Sequence, residues 1–242
     1  MPTFNDYGII LNSHDLGESD KILNIYTKEN GLLRAVAKGS RKALSKFGGK
    51  VDQFSCCYFH FASGKNLSTV CDCEQINSFS LLRSDLHRLT NAVLFLEIVS
   101  NFAYEDEHDS HHIYALLYES LNNLQNSTMP DKDSITFISK FLSLHGYKPQ
   151  FDTCVHCSNE QQVMNNESLY LYSSILGGVL CIECARMIDH KQIKSSVINL
   201  LKQGTSEAGG RGDMRLTLDL LREHLDIRAK SKIKSFDLVL SL

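Results

Sequence analysis

The 242-residue sequence predicts an α+β multidomain protein: a small five-stranded barrel followed by an all-α domain that carries a four-cysteine module. Three observations predict it. Apolar residues alternate with a period of two as far as Gln75, the period lengthens toward 3.6 after Ser84, and two Cys-x-x-Cys pairs stand in the second half. The chain is long for one core and comfortable for two.

The strands come first. Ile9–Leu11, Ile22–Thr27 and Leu32–Ala37 form the first three, with Glu29-Asn30-Gly31 as a hairpin turn between the second and third. Val51–Phe61 and Leu67–Glu74 follow, joined by Ser63-Gly64-Lys65-Asn66. Between the third and fourth runs lies Lys38–Lys50, which is basic and contains glycine. Five strands in a meander with one long loop suit a closed OB-fold barrel, with an SH3-like barrel as the nearest rival.

The helices follow. Leu86, Leu89, Val93, Leu96 and Val99 share one face of a long helix for which Ser84 is the candidate N-cap. Ile113–Leu124 repeats the pattern behind Ser110, and Ile135–Leu144 repeats it behind Asp133 or Ser134, stopping at Gly146. Val197–Leu201 and Leu216–Leu225 continue it across the glycine-rich stretch Gly204–Gly212. A boundary near Ser80–Ser84 divides a barrel over residues 1–80 from a helical domain over 81–242 whose metal module occupies 150–190.

Cys154-Val155-His156-Cys157 and Cys181-Ile182-Glu183-Cys184 form the spacing of zinc ribbons and knuckles. Each pair sets two thiolates on one side of a tight bend, and two bends supply four soft ligands for a tetrahedral ion. Four thiolates leave no open position for a water, so the reading is a structural Zn²⁺ on Cys154, Cys157, Cys181 and Cys184; an iron–sulfur cluster or a redox dithiol are the alternatives. Gly177-Gly178 lets the backbone approach the second pair. Cys56, Cys57, Cys71 and Cys73 read as small core residues, the last two on one strand face.

A net charge of −3 excludes a uniformly basic nucleic-acid binder, so any phosphate contact must be local. Arg34, Lys38, Arg41, Lys42, Lys46 and Lys50 supply such a place, with Glu29 as the nearby acid. Phe47, Tyr26 and Tyr58 are candidates to stack on bases. About five phosphate contacts give a salt slope near −3.5 for single strands. Arg228, Lys230, Lys232 and Lys234 form a second basic run. No apolar run approaches the roughly 20 residues that span a bilayer and no export signal opens the chain, which places the protein in the cytoplasm.

An enzyme is the main rival class, because Glu105–His112 gathers carboxylates and imidazoles as a metal-dependent hydrolase would. Neighbouring side chains in one loop point apart, however, and a solvated loop before a helix accounts for the run. Gly209-Gly210-Arg211-Gly212 lacks the Lys-Ser/Thr of a phosphate-binding loop. A protein-interaction adaptor is the third class.

Gly8-Ile9-Ile10-Leu11, Leu16-Gly17-Glu18-Ser19-Asp20-Lys21, Tyr26–Leu32, Ala37-Lys38-Gly39-Ser40-Arg41, Ser45–Gly49 and Leu82–Leu86 follow one another as they do in the RecO family, which this chain resembles over most of its length. The resemblance implies an OB-fold and a helical domain with a zinc module. It also implies a non-enzymatic mediator of DNA repair and recombination that binds single- and double-stranded DNA and anneals complementary strands. Such a mediator acts with RecR to load RecA onto strands coated with single-stranded DNA-binding protein (SSB), whose acidic C-terminal tail is a further partner. It places the protein in the bacterial cytoplasm, at the nucleoid, and assigns Lys38 and Arg41 to DNA contact with Lys42 and Lys46 beside them.

Overall fold

A computed structural model describes residues 2–105, 110–160, 169–203 and 210–242. The chain divides into two compact units, residues 1–127 and 128–242.

In the first unit β1 (Thr3–Leu16), β2 (Asp20–Thr27), β3 (Gly31–Ala37), β4 (Cys56–Ala62) and β5 (Ser68–Asn77) close a barrel in the order β1-β2-β3-β5-β4. This is the OB arrangement rather than a plain meander, because β5 lies parallel to β3 at Ala35↔Ser68 and Val36↔Thr69 while β4 returns to β1. The crossover is made by the long segment after β3. Val51–Ser55, expected to begin a strand, belongs to that segment: Phe54 has φ 74°, and Val51 and Phe54 are both buried. Ile10, Leu23, Ile25, Ala35, Phe59 and Phe61 fill the barrel, and Phe47 and Val51 plug it from the crossover.

Three bulges set which side chains face inward. In β5 the pairing slips between His60↔Asp72 and Phe61↔Val70, so Cys71 is the extra residue. Val70 and Cys73 both enter the core while Cys71 stays half-exposed, which overturns the expectation that Cys71 and Cys73 share a face.

The strand-to-helix change occurs at a short 3₁₀ turn over Ser80–Ser84, but two long helices still pack within the first unit. α1 (Leu86–Phe102) is capped by Asp85, whose carboxylate accepts from the Arg88 N–H at 2.8 Å, and not by Ser84. Its burial is not confined to one stripe: Ala92, Leu94, Phe95, Leu96, Ile98 and Val99 are all buried, while Leu86, assigned to the inner face, is exposed. α2 (Ser110–Leu124) packs on β1, β2 and β3, and Ser110 Oγ donates to the Lys28 carbonyl at 2.7 Å.

The second unit contains α3 (Pro130–Leu144), β6 (Leu169–Ser173), β7 (Gly178–Leu180), α4 (Ile182–Ala185), β8 (Lys191–Lys194), α5 (Ser195–Gln203), α6 (Arg211–Asp226) and α7 (Ser235–Ser241). α3 starts a turn earlier than expected because Pro130 suits the first helical position. The strands form an antiparallel sheet in the order β7-β6-β8, which the helical pattern of this half does not announce. Among the described residues no helix is long and apolar enough to cross a membrane.

Candidate metal centre and nucleic-acid interface

The first knuckle is a tight turn in which Ser158 N–H donates to the Cys154 carbonyl at 2.9 Å and Cys154 N–H donates to Asn159 at 2.8 Å. The second opens α4: Cys181 stands at its N-cap, and Ile188 N–H returns to the Cys184 carbonyl at 3.1 Å. Gly178 makes their approach possible. A Cβ there would lie 2.7 Å from the Gln150 carbonyl and 3.1 Å from Val155 Cβ, so the close contact expected of the glycine pair is present.

The four sulfurs lie within 4.8 Å of one another, and Cys157 Sγ is 3.8 Å from Cys181 Sγ. A tetrahedron with metal–sulfur bonds of about 2.3 Å has edges of about 3.8 Å, so the donor set fits a metal ion. Burial acts to raise the Cys154 thiol, but the backbone N–H groups of Cys157, Cys181 and His156 outweigh it and bring it down to about 6. Cys184 is pushed up, first by Cys181 and then by burial. Sulfurs this close resist ionising together unless a cation neutralises them. A bound ion would supply cross-linking and charge neutralisation here, and Leu171, Leu180 and Ala185 pack beside the site. His156 Nδ1 is 3.4 Å from Cys184 Sγ, a neighbour that the cysteine spacing alone does not single out.

The basic residues divide into three groups. Arg34, Lys38 and Lys42 are exposed, and among the described residues no hydrogen bond or ion pair occupies their charged groups. Arg34 and Lys38 stand on the outer side of β3 and its continuation, where residues of one parity share a face. Arg41 is turned back onto the β1–β2 turn: Nη1 donates to the Gly17 carbonyl at 3.1 Å and Nη2 is 3.3 Å from Asp15 Oδ2. Lys46 donates to the Cys71 carbonyl and lies over the Phe47 ring, and Lys50 is half-buried.

Glu29 is therefore not the acid that matters to this cluster. Asp20 Oδ1 accepts from the Gly39 N–H and from Ser19 Oγ, each at 2.8 Å, and these bonds hold its carboxyl below the usual carboxylate range, with Lys38 and Lys42 adding to the effect. Lys21 pairs with Asp52 at 3.0 Å. Two of the three stacking candidates are misplaced: Phe47 plugs the barrel and Tyr26 lies wholly buried. Tyr58 is 36% exposed and meets Tyr7, which faces it across the β1–β4 pair, at 4.7 Å between ring centroids.

Other expectations fall elsewhere. A polar cleft of about 400 Å³ near Arg34 includes Lys65 and Asn66 from the β4–β5 loop, which charge clustering along the chain does not bring out. In the acidic run Glu105 bridges to Gly31, His111 and His112 stack at 3.9 Å at the start of α2, and residues 106–109 lie outside the described residues. Most of the Gly204–Gly212 stretch does too, while Gly210 is the N-cap of α6.

An OB barrel with exposed cations along one strand, in one chain with a four-thiol module, is the build of a binding protein. The family model described as "Recombination protein O N terminal" matches residues 1–79, and the one described as "Recombination protein O C terminal" matches 83–234. The chain belongs to the RecO family. It is 31% identical to the DNA repair protein RecO of Desulfatibacillum aliphaticivorans over 98% of this chain and 91% of that one. It is 32% identical to that of Cutibacterium acnes over 76% and 75%, and 29% identical to that of a Thermoanaerobacter species over 93% of both. All three relatives bear the name of a repair protein and not of an enzyme.

Proposed function

We propose that the chain is a DNA repair and recombination mediator that holds single- and double-stranded DNA on the barrel's cationic edge and anneals complementary strands. The observation that carries this reading is the set of open cations Arg34, Lys38 and Lys42 on one strand and its loop, while Arg41 and Lys46 are bonded back to Gly17 and Cys71 and Lys50 is half-buried. An edge that meets phosphates leaves Watson–Crick faces free, and neutralising the backbone lets two strands approach. Three open cations imply about three phosphates and a salt slope near −2, shallower than five contacts give.

The metal is Zn²⁺, and its part is structural. RecR and RecA are its partners, a reading that membership of a recombination-protein family supports, and the SSB tail is a third. A cavity of about 520 Å³ in the second unit, with Leu169, Ile193, Val197 and Leu216 in its walls, supports the last through its apolar floor and Lys194; its other lysine, Lys191, is paired with Glu223, and Asp219 also lines it. The protein works at the nucleoid in the bacterial cytoplasm.

Strand annealing at low salt tests the reading. The native protein, with one zinc per chain by metal analysis, accelerates pairing of complementary oligonucleotides, and Lys38→Glu/Lys42→Glu with the same zinc content does not. A native protein that leaves the pairing rate unchanged defeats it.

A further inference from the structure

Leu44 is 100% exposed, the most exposed large apolar side chain among the described residues. It sits on a turn whose flanks are tied to the barrel. Ser45 N–H donates to the Lys42 carbonyl at 3.0 Å, closing a tight turn with Ala43 and Leu44 at its corners. The segment on either side of the turn is tied down. At its foot, Gly39 N–H is held by Asp20, Arg41 N–H donates to the Ser19 carbonyl at 2.9 Å, and the Arg41 side chain grips Gly17 and Asp15. At its return, Phe47 is sunk in the barrel core and Phe47 N–H donates to Ser45 Oγ at 3.2 Å. The turn cannot fold Leu44 inward without breaking these ties.

A leucine held in water two residues from the open cation of Lys42 suits a ligand that offers an anionic group beside apolar faces, and stacked bases along a phosphate backbone have that form. Apolar side chains inserted between base steps are a known way to contact nucleic acid. From this geometry we infer that Leu44 is a base-contacting wedge, carried on a preformed turn whose foot is positioned by Asp20 and Arg41. The inference rests on the proposed DNA binding by this edge, and it adds an uncharged contact to it.

The two kinds of contact have different salt signatures. A methyl group displaces no counterion, so losing Leu44 lowers affinity at every salt concentration and leaves the log–log slope unchanged, whereas losing Lys42 flattens the slope. The test is fluorescence anisotropy of a labelled oligonucleotide containing 2-aminopurine, titrated with the full chain across a range of salt. Leu44→Ala is expected to weaken binding about three- to tenfold, as partial burial of one apolar side chain implies. Its slope should be that of the native protein, and the 2-aminopurine signal change on binding should be lost.

Leu44→Ala sits on the surface and leaves the fold intact, so its result is interpretable alone. Asp20→Asn tests the positioning. It removes a negative charge beside two lysines, which by charge alone tightens binding, yet a loosened foot weakens it. The matched control Glu18→Gln removes a charge from the same turn without touching these bonds. The expected pattern is weaker binding for Asp20→Asn, unchanged or tighter binding for Glu18→Gln, and no further loss when Leu44→Ala is added to Asp20→Asn. Should Asp20→Asn fail to fold, Ser19→Ala, which removes one bond to the same carboxylate, is expected to weaken binding about twofold. Native affinity in Leu44→Ala, with Lys38→Glu/Lys42→Glu impaired, overturns the wedge and spares the DNA reading. Native affinity in both variants overturns both.

Discussion

His224 is almost wholly buried, yet it uses both ring nitrogens: Tyr172 Oη lies 3.0 Å from Nδ1, and the Tyr147 carbonyl is 2.8 Å from Nε2. The carbonyl can only accept, so Nε2 carries a proton, and in the neutral ring that burial favours Nδ1 accepts from the tyrosine hydroxyl. Burial first, and Arg228 second, lower its pKa to about 4. An unfolded histidine titrates near 6.5, so between these values the unfolded chain binds the extra proton. The stability contributed by His224 is therefore complete above about pH 6.5 and is lost as the pH falls toward 4, by up to about 3 kcal/mol. Thermal melts at pH 7 and pH 5 should show the loss, and His224→Gln, which keeps a donor and an acceptor, should flatten it. Gly178 belongs to the same scale. Gly178→Ala pushes a Cβ against the Gln150 carbonyl and should cost about 1–3 kcal/mol in a denaturant melt, with no change in charge. Single residues were only partly legible in the sequence. The cluster of four cysteines could be read because each knuckle is four residues long, whereas the Asp20 to Gly39 bond joins two segments that only the barrel brings together.

Among the elements, the five barrel strands were legible in number and order of appearance, because alternation is local. Their inward faces were less so, since each bulge reverses the alternation, as Cys71 shows. Tyr26 alternates with the core residues Leu23 and Ile25 of β2 yet is wholly buried, and the packing of α2 on that strand is a cover that no pattern within β2 reveals. α1 hides its inner face for the opposite reason: an element buried on most sides has no single apolar stripe to read. The β6–β8 sheet escaped because its strands are three to five residues long and are built around the knuckles. Cys157→Ser is the test at this scale. It should abolish stoichiometric metal binding and unfold the module, with a loss on the order of 10 kcal/mol. Metal analysis and exchange protection of residues 150–160 and 178–188 check it, and full zinc occupancy in the variant would remove the four-thiolate assignment.

The whole molecule has a net negative charge, and yet the first unit presents a cationic edge. A net charge is a sum over the surface, but a polyanion within a Debye length of about 10 Å at 0.1 M salt responds to the nearest side chains. The fold serves to concentrate the positive ones: β3 projects Arg34, its continuation carries Lys38 and Lys42, and the ties to Asp20 and Phe47 hold the loop where these charges add. The most direct test is the affinity for a single-stranded oligonucleotide measured between 50 and 200 mM salt. The native protein should lose affinity roughly twentyfold over that range, and Lys38→Glu/Lys42→Glu should bind far more weakly with a nearly flat response. Equal affinity and equal salt dependence in the two proteins would contradict the account.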